Sequence, residues 1–88
     1  MAGFMQATGV LSRHVPAGVL LLAPGDGEAV LLAGTGEAVW DALLSPISLE
    51  ELTETLGAAY RAPVSVIRDD VETTVDRLVS LGLLELRP

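Results

Sequence analysis

The residues best equipped for chemistry are few and scattered. His14 is the only histidine, and the chain has no cysteine. An imidazole titrates near neutral pH and can act as acid, base or metal ligand. With no second histidine and no thiolate, the usual soft-ligand sites cannot be assembled around it. At the end of a strand, His14 reads as a solvated or capping residue. Ser12 and Ser80 carry hydroxyls of nucleophilic type, but neither has a base at a readable spacing. Asp69, Asp70, Glu72 and Asp76 concentrate carboxylates that could hold a hard cation. Spread around a helix, they read instead as a solvated face that complements the positive end of the helix dipole. Gly34-Thr35-Gly36 precedes a helix, as phosphate-cradling loops do, but lacks their lysine and spacing. It reads as a strand-to-helix turn, and Trp40 in the following helix reads as core. No catalytic residue, metal ligand set or cofactor is assigned.

The elements that would position these residues change type once, near Gly34. Before it come three short strands. Thr8–His14 alternates, with Val10 and Ser12 on one face and Leu11 and Arg13 on the other. Pro16-Ala17-Gly18 is a turn, since proline fixes φ and glycine permits reversal. Val19–Ala23 is almost continuously apolar and reads as a central strand buried on much of both faces. Pro24-Gly25-Asp26-Gly27 carries the Asp-Gly hairpin signal, and Ala29–Ala33 is the returning strand. A meander of this kind has two open edges, whose unpaired N–H and C=O groups are either a liability or a docking site.

Three helices follow. Thr35 is the expected N-cap of the first, over Glu37–Leu44, with Val39, Trp40, Leu43 and Leu44 on its apolar face. Ser48 and Glu51 form a capping box for the second, which runs to about Tyr60 with Leu49, Leu52, Leu56 and Tyr60 inward. The third spans about Ser65 to Leu81 and ends at Gly82, a C′ glycine. Ile67, Val71, Thr74, Leu78 and Leu81 form its core stripe. Val75 and Val79 lie to one flank, beside Arg68 and Glu72. Leu83, Leu84 and Leu86 are expected to pack back onto the body. The fold class is α+β: a three-stranded antiparallel sheet followed by three helices. Residues 1–7 are expected to fray, and residues 8–88 to form one domain.

Composition narrows the function. The 88 residues include 12 acidic and 5 basic side chains, all five of them arginine, for a net charge of −7. Most of that excess lies after Ala33. This balance disfavours nucleic acid, whose phosphates need a basic face, and disfavours an anionic membrane. No basic, apolar targeting segment opens the chain, and no apolar run approaches a membrane span. The expectation is a soluble cytoplasmic protein, and the arginine-only, Ala/Leu/Val-heavy composition suggests a bacterial one.

The run Ala29-Val30-Leu31-Leu32-Ala33-Gly34-Thr35-Gly36-Glu37-Ala38-Val39-Trp40 carries a family resemblance. With it go Ser48-Leu49-Glu50-Glu51-Leu52, Leu56 and Tyr60, Asp70-Val71, and Leu78 through Gly82-Leu83-Leu84. In this order and spacing the chain resembles the PqqD family, peptide-recognition domains of ribosomal peptide natural-product pathways. Ala33 stands where the family often has asparagine. The resemblance implies a winged helix-turn-helix-like arrangement and a non-catalytic function. The leader of a precursor peptide adds as a strand to the third strand and lies in a groove against the third helix. The core peptide is thereby presented to a separate leader peptidase, cyclase or radical-SAM enzyme. The length is similar to stand-alone members of lasso-peptide and PQQ clusters.

On this reading the peptide-binding residues are Glu28, Ala29, Val30, Leu31, Leu32 and Ala33 on the strand. Arg68, Glu72, Val75, Asp76 and Val79 form the helical wall. A monomer is expected, with a weak dimer as the alternative. Two other classes compete: a winged-helix DNA-binding domain and a small adaptor subunit of a protein complex. The acidic third helix, net −2 between Arg68 and Arg77, is the wrong charge for a major groove.

Overall fold

A computed structural model describes residues 3–25 and 28–87. Asp26 and Gly27, the centre of the expected hairpin turn, lie outside the described residues. The elements in order are β1 (Gly3–Gln6), β2 (Leu11–Val15), β3 (Gly18–Leu22), β4 (Ala29–Leu32), α1 (Thr35–Asp41), α2 (Leu49–Tyr60), α3 (Val64–Ser80) and β5 (Leu84–Arg87).

The expected meander is present as an antiparallel sheet in the order β2-β3-β4, with β3 central. Val19 pairs with Leu32 and Leu21 with Val30, so these four side chains share one face. That face is the covered one: Val19, Leu21 and Leu32 are buried in the core and Val30 packs against it. The opposite face is open. Leu11, Leu20 and Leu31 are 67%, 36% and 47% exposed. The central strand is therefore buried on one face only, because all three helices gather on the same side. Gly18 makes the tight approach of β3 to β4 possible. Its φ is +150°, and a Cβ there would collide with the Leu32 carbonyl oxygen.

Within the segment expected to fray, Gly3–Gln6 forms the strand β1. β1 and β5 form a second, two-stranded antiparallel sheet, with Phe4 opposite Leu86 and Gln6 opposite Leu84. β1 also bonds to the segment between α1 and α2: Phe4 N–H donates to Ile47 C=O (2.8 Å) and Ile47 N–H to Phe4 C=O (3.0 Å). Gln6 serves the C-terminal end of α1. Its backbone N–H reaches Leu43 C=O (2.9 Å), and its side-chain amide reaches Trp40 C=O (2.9 Å). The Leu43 carbonyl, just past the helix, and the Trp40 carbonyl, which also accepts from Leu43 N–H (3.1 Å), thus gain bonds from a strand remote in sequence.

The helix ends follow local rules with two changes. Gly34, at φ 58°, occupies the N-cap of α1 and Thr35 is its first residue, with no side-chain cap. Ser48 caps α2 by accepting from Glu51 N–H, but the Glu51 carboxylate returns to the Ser48 hydroxyl (3.1 Å) rather than to its N–H. α3 ends as expected. Gly82 N–H donates to Val79 C=O and Leu83 N–H to Leu78 C=O, the paired bonds of a Schellman motif. Leu83 and Leu78 are both buried, so the motif also folds the chain back into the core.

The core joins Val39, Trp40 and Leu43 of α1 and the following turn to Leu52 and Leu56 of α2. Ile67, Val71, Val75 and Leu78 of α3 complete it, with the buried sheet residues and Leu83 and Leu84. Leu44 and Tyr60, expected inward, are 74% and 48% exposed, and Leu86 is exposed as well. Leu44 lies beyond α1 and Tyr60 is the last residue of α2, where the periodic face has run out, whereas Leu86 is within β5 opposite Phe4. Thr53 is fully buried, and its hydroxyl donates to Leu49 C=O (2.7 Å). Among the described residues no buried side-chain nitrogen or oxygen lacks a partner. No described helix is long and apolar enough to cross a membrane.

Candidate peptide-binding edge

β4 is an outer strand of its sheet, as expected for the segment from Glu28 to Ala33. The direction of its backbone groups follows from Gly18. The Leu32 carbonyl lies against Gly18, on the β3 side. Backbone groups of successive residues in a strand point to opposite sides, so the N–H and C=O of Leu31, and of Ala29 two residues earlier, point away from β3 to the open edge. Val30 and Leu32 turn their backbone groups into the sheet. The edge that a partner strand would meet thus has a definite register.

Beside the C-terminal end of β4 lies a groove of about 250 Å³. Leu31, Leu32, Ala33 and Gly36 line one side, and Thr73, Thr74 and Arg77 of α3 line the other. The groove is therefore between the expected strand and the expected helix, but on a different flank of that helix. The core residues of α3 are Ile67, Val71, Val75 and Leu78. Arg68, Glu72, Asp76 and Val79 each follow a core residue by one position, a turn of about 100° to one side. Thr74 and Arg77 each precede one, and lie on the other side.

The helical residues expected from the sequence are placed differently from the groove lining. Val75 is core, 2% exposed. Arg68, Glu72, Asp76 and Val79 do not line the groove. The cause is a rotation of roughly 35° between the expected core stripe, which included Thr74 and Leu81, and the observed one, which includes Val75. Thr74, half-buried, turns its hydroxyl onto the Asp70 carbonyl (2.8 Å). The signal that could have placed the groove is Val75 itself: a β-branched apolar residue continues the i, i+4 series of Ile67 and Val71, whereas threonine does not.

His14 is not a free strand-end residue. Its Nε2 lies 2.9 Å from Asp41 Oδ1 and 4.0 Å from Glu37 Oε2, tying β2 to α1. The three ligand atoms lie within 4.8 Å of one another, the group of described residues that could hold a metal ion. The three are surface-exposed or half-buried, and the short His14–Asp41 contact is a polar tether between β2 and α1. Asp69, Asp70, Glu72 and Asp76 do not converge into such a group. Ser12 projects toward the helix side of β2, and Ser80 closes α3.

A family model described as coenzyme PQQ synthesis protein D (PqqD) matches residues 18–84. No curated protein matches the chain. Two solved structures are similar. One is TbiB1 in complex with the TbiA(beta) leader peptide, at 25% identity and a TM-score of 0.80, covering 92% of this chain and 94% of that one. The other is the PqqD truncation of Methylobacterium extorquens PqqCD, a stand-alone recognition element of ribosomally synthesised and post-translationally modified peptides. It has 22% identity and a TM-score of 0.75, covering 94% of this chain and 88% of that one. Both share the α+β arrangement described above. With the family match spanning β3 to the start of β5, the chain belongs to the PqqD family.

Proposed function

We propose that the protein is a non-catalytic module that binds the leader region of a ribosomally made precursor peptide. The leader adds as a strand to β4 and lies in the groove beside α3. The observation that carries this reading is the open β4 edge, with the backbone groups of Ala29 and Leu31 directed outward next to a preformed groove. Strand addition draws affinity from main-chain hydrogen bonds and selectivity from alternate side-chain pockets. TbiB1, similar over almost the whole chain, is a leader-peptide complex, which supports the same role here. The groove contains no acid–base pair and no nucleophile with a base beside it, in keeping with a carrier rather than an enzyme.

The bound peptide is passed to a separate modifying enzyme, a leader peptidase, cyclase or radical-SAM enzyme. The open sheet face bearing Leu11, Leu20 and Leu31 is continuous with the β4 edge, and an apolar patch of this kind is typical of a surface covered in a working assembly. The test uses fluorescently labelled candidate leader peptides, the TbiA(beta) leader bound by the similar TbiB1 among them. Leu31→Pro removes an outward N–H while leaving the β3–β4 ladder donors in place, a substitution that edge strands accommodate. Binding is expected to weaken at least about tenfold, with the loss of backbone pairing. Unchanged affinity in a folded Leu31→Pro protein would sink strand addition at β4.

A further inference from the structure

The groove beside β4 differs in charge from the molecule that contains it. The chain has 12 acidic side chains and a net charge of −7, yet no carboxylate of the described residues lines the groove. Its one ionisable lining residue is Arg77. The ion pairs of the described residues belong to His14 and Arg87, and Arg77 has no side-chain partner among the described residues. Thr73, four residues earlier, lies on the same side of α3 one turn away, and its hydroxyl is likewise unpartnered among them. Thr74 differs, because its hydroxyl proton already goes to Asp70 C=O.

A guanidinium fork and a hydroxyl therefore line the groove as solvent-exposed donors without a side-chain partner among the described residues. A guanidinium offers five N–H groups and no acceptor, in a planar array that matches a carboxylate. Charge-assisted bonds of this type are about twice as strong as neutral ones. Elsewhere the acidic surface repels anions, and Glu37 and Asp70 lie in sequence next to the groove-lining Gly36 and one turn before Thr74. An anion is favoured at one place along this edge and disfavoured on either side of it.

We propose that Arg77, with Thr73, selects an acidic side chain: the bound peptide carries Asp or Glu at a helix-facing position of the added strand. This inference rests on the strand-addition reading above. Its consequence is register. A slip of one residue moves every side chain of a strand to the opposite face. Main-chain bonds alone do not forbid that slip on a short edge, whereas a single charge contact does. Arg77 thus acts as the specificity determinant of a site otherwise built from backbone groups, apolar strand residues and two threonines.

The test selects peptides from a displayed random library against the intact chain and against its Arg77→Glu, Arg77→Ala and Leu31→Pro variants. Arg77 is exposed, and amide spectra verify that each variant is folded. Wild-type selections are expected to share Asp or Glu at one position between alternating apolar residues. Arg77→Ala should lose that preference and keep the apolar ones, and Arg77→Glu should replace it with Lys or Arg. For the best wild-type peptide, Arg77→Glu should raise Kd roughly tenfold or more, and added salt should shrink the difference. Peptides enriched without an acidic preference, or with the same preference against Arg77→Glu, overturn the role of Arg77 and leave strand addition standing. Equal enrichment by Leu31→Pro overturns strand addition itself, and an empty wild-type selection overturns both.

Discussion

Val75 and Val79 stand one turn apart on α3 and have opposite environments, 2% and 47% exposed. Val75→Asp places a carboxylate among Ile67, Val71 and Leu78 with no partner. A loss of more than about 3 kcal/mol is expected, enough to abolish a cooperative thermal transition in a chain this size. Val79→Asp should change stability by no more than about 0.5 kcal/mol. Thermal unfolding of the two variants distinguishes core from surface on this helix. Glu85 gives a second prediction. The Thr8 backbone N–H donates to its carboxylate (3.0 Å), and with Arg87 nearby this holds its pKa below the usual carboxylate range. The folded pKa is below the unfolded one, so the stabilisation is present above the ordinary carboxylate pKa and is lost as pH falls through the lowered value. The Thr8 amide resonance should titrate with Glu85 in that acidic window, and Glu85→Gln should remove the titration.

At the scale of elements, what was legible in the sequence is what is decided locally. β3, the β4 return, the Ser48 cap and the Gly82 stop each depend on a few adjacent residues. The second sheet was not legible, because β1 and β5 lie at opposite ends of the chain and each alone is too short to show a pattern. Leu84 and Leu86 hint at β5, but nothing near Phe4 announces its partner. The strand half of the candidate site was readable from the hairpin order. The helical half was not, because valines at 75 and 79 let two core stripes compete and the choice turns on about a third of a residue step. Gly18 is the element-scale control point. Gly18→Ala should push β4 away from β3, costing about 1–3 kcal/mol through strain and steric conflict. Amide shifts should move at Leu32 and Ala33, at the mouth of the groove, more than in α2.

At the scale of the whole molecule, the helices cover one face of the meander and leave open its other face and its two outer strands, β2 and β4, of which β4 borders the groove. The most direct test of strand addition is amide hydrogen exchange of the isotope-labelled protein with and without a leader peptide that it binds. Addition to β4 requires that Ala29 and Leu31 amides, exposed at the edge in the free protein, become protected in the complex, with cross-strand contacts to the leader. Bound leader with those two amides still exchanging freely, or with protection appearing along β2 instead, would contradict it.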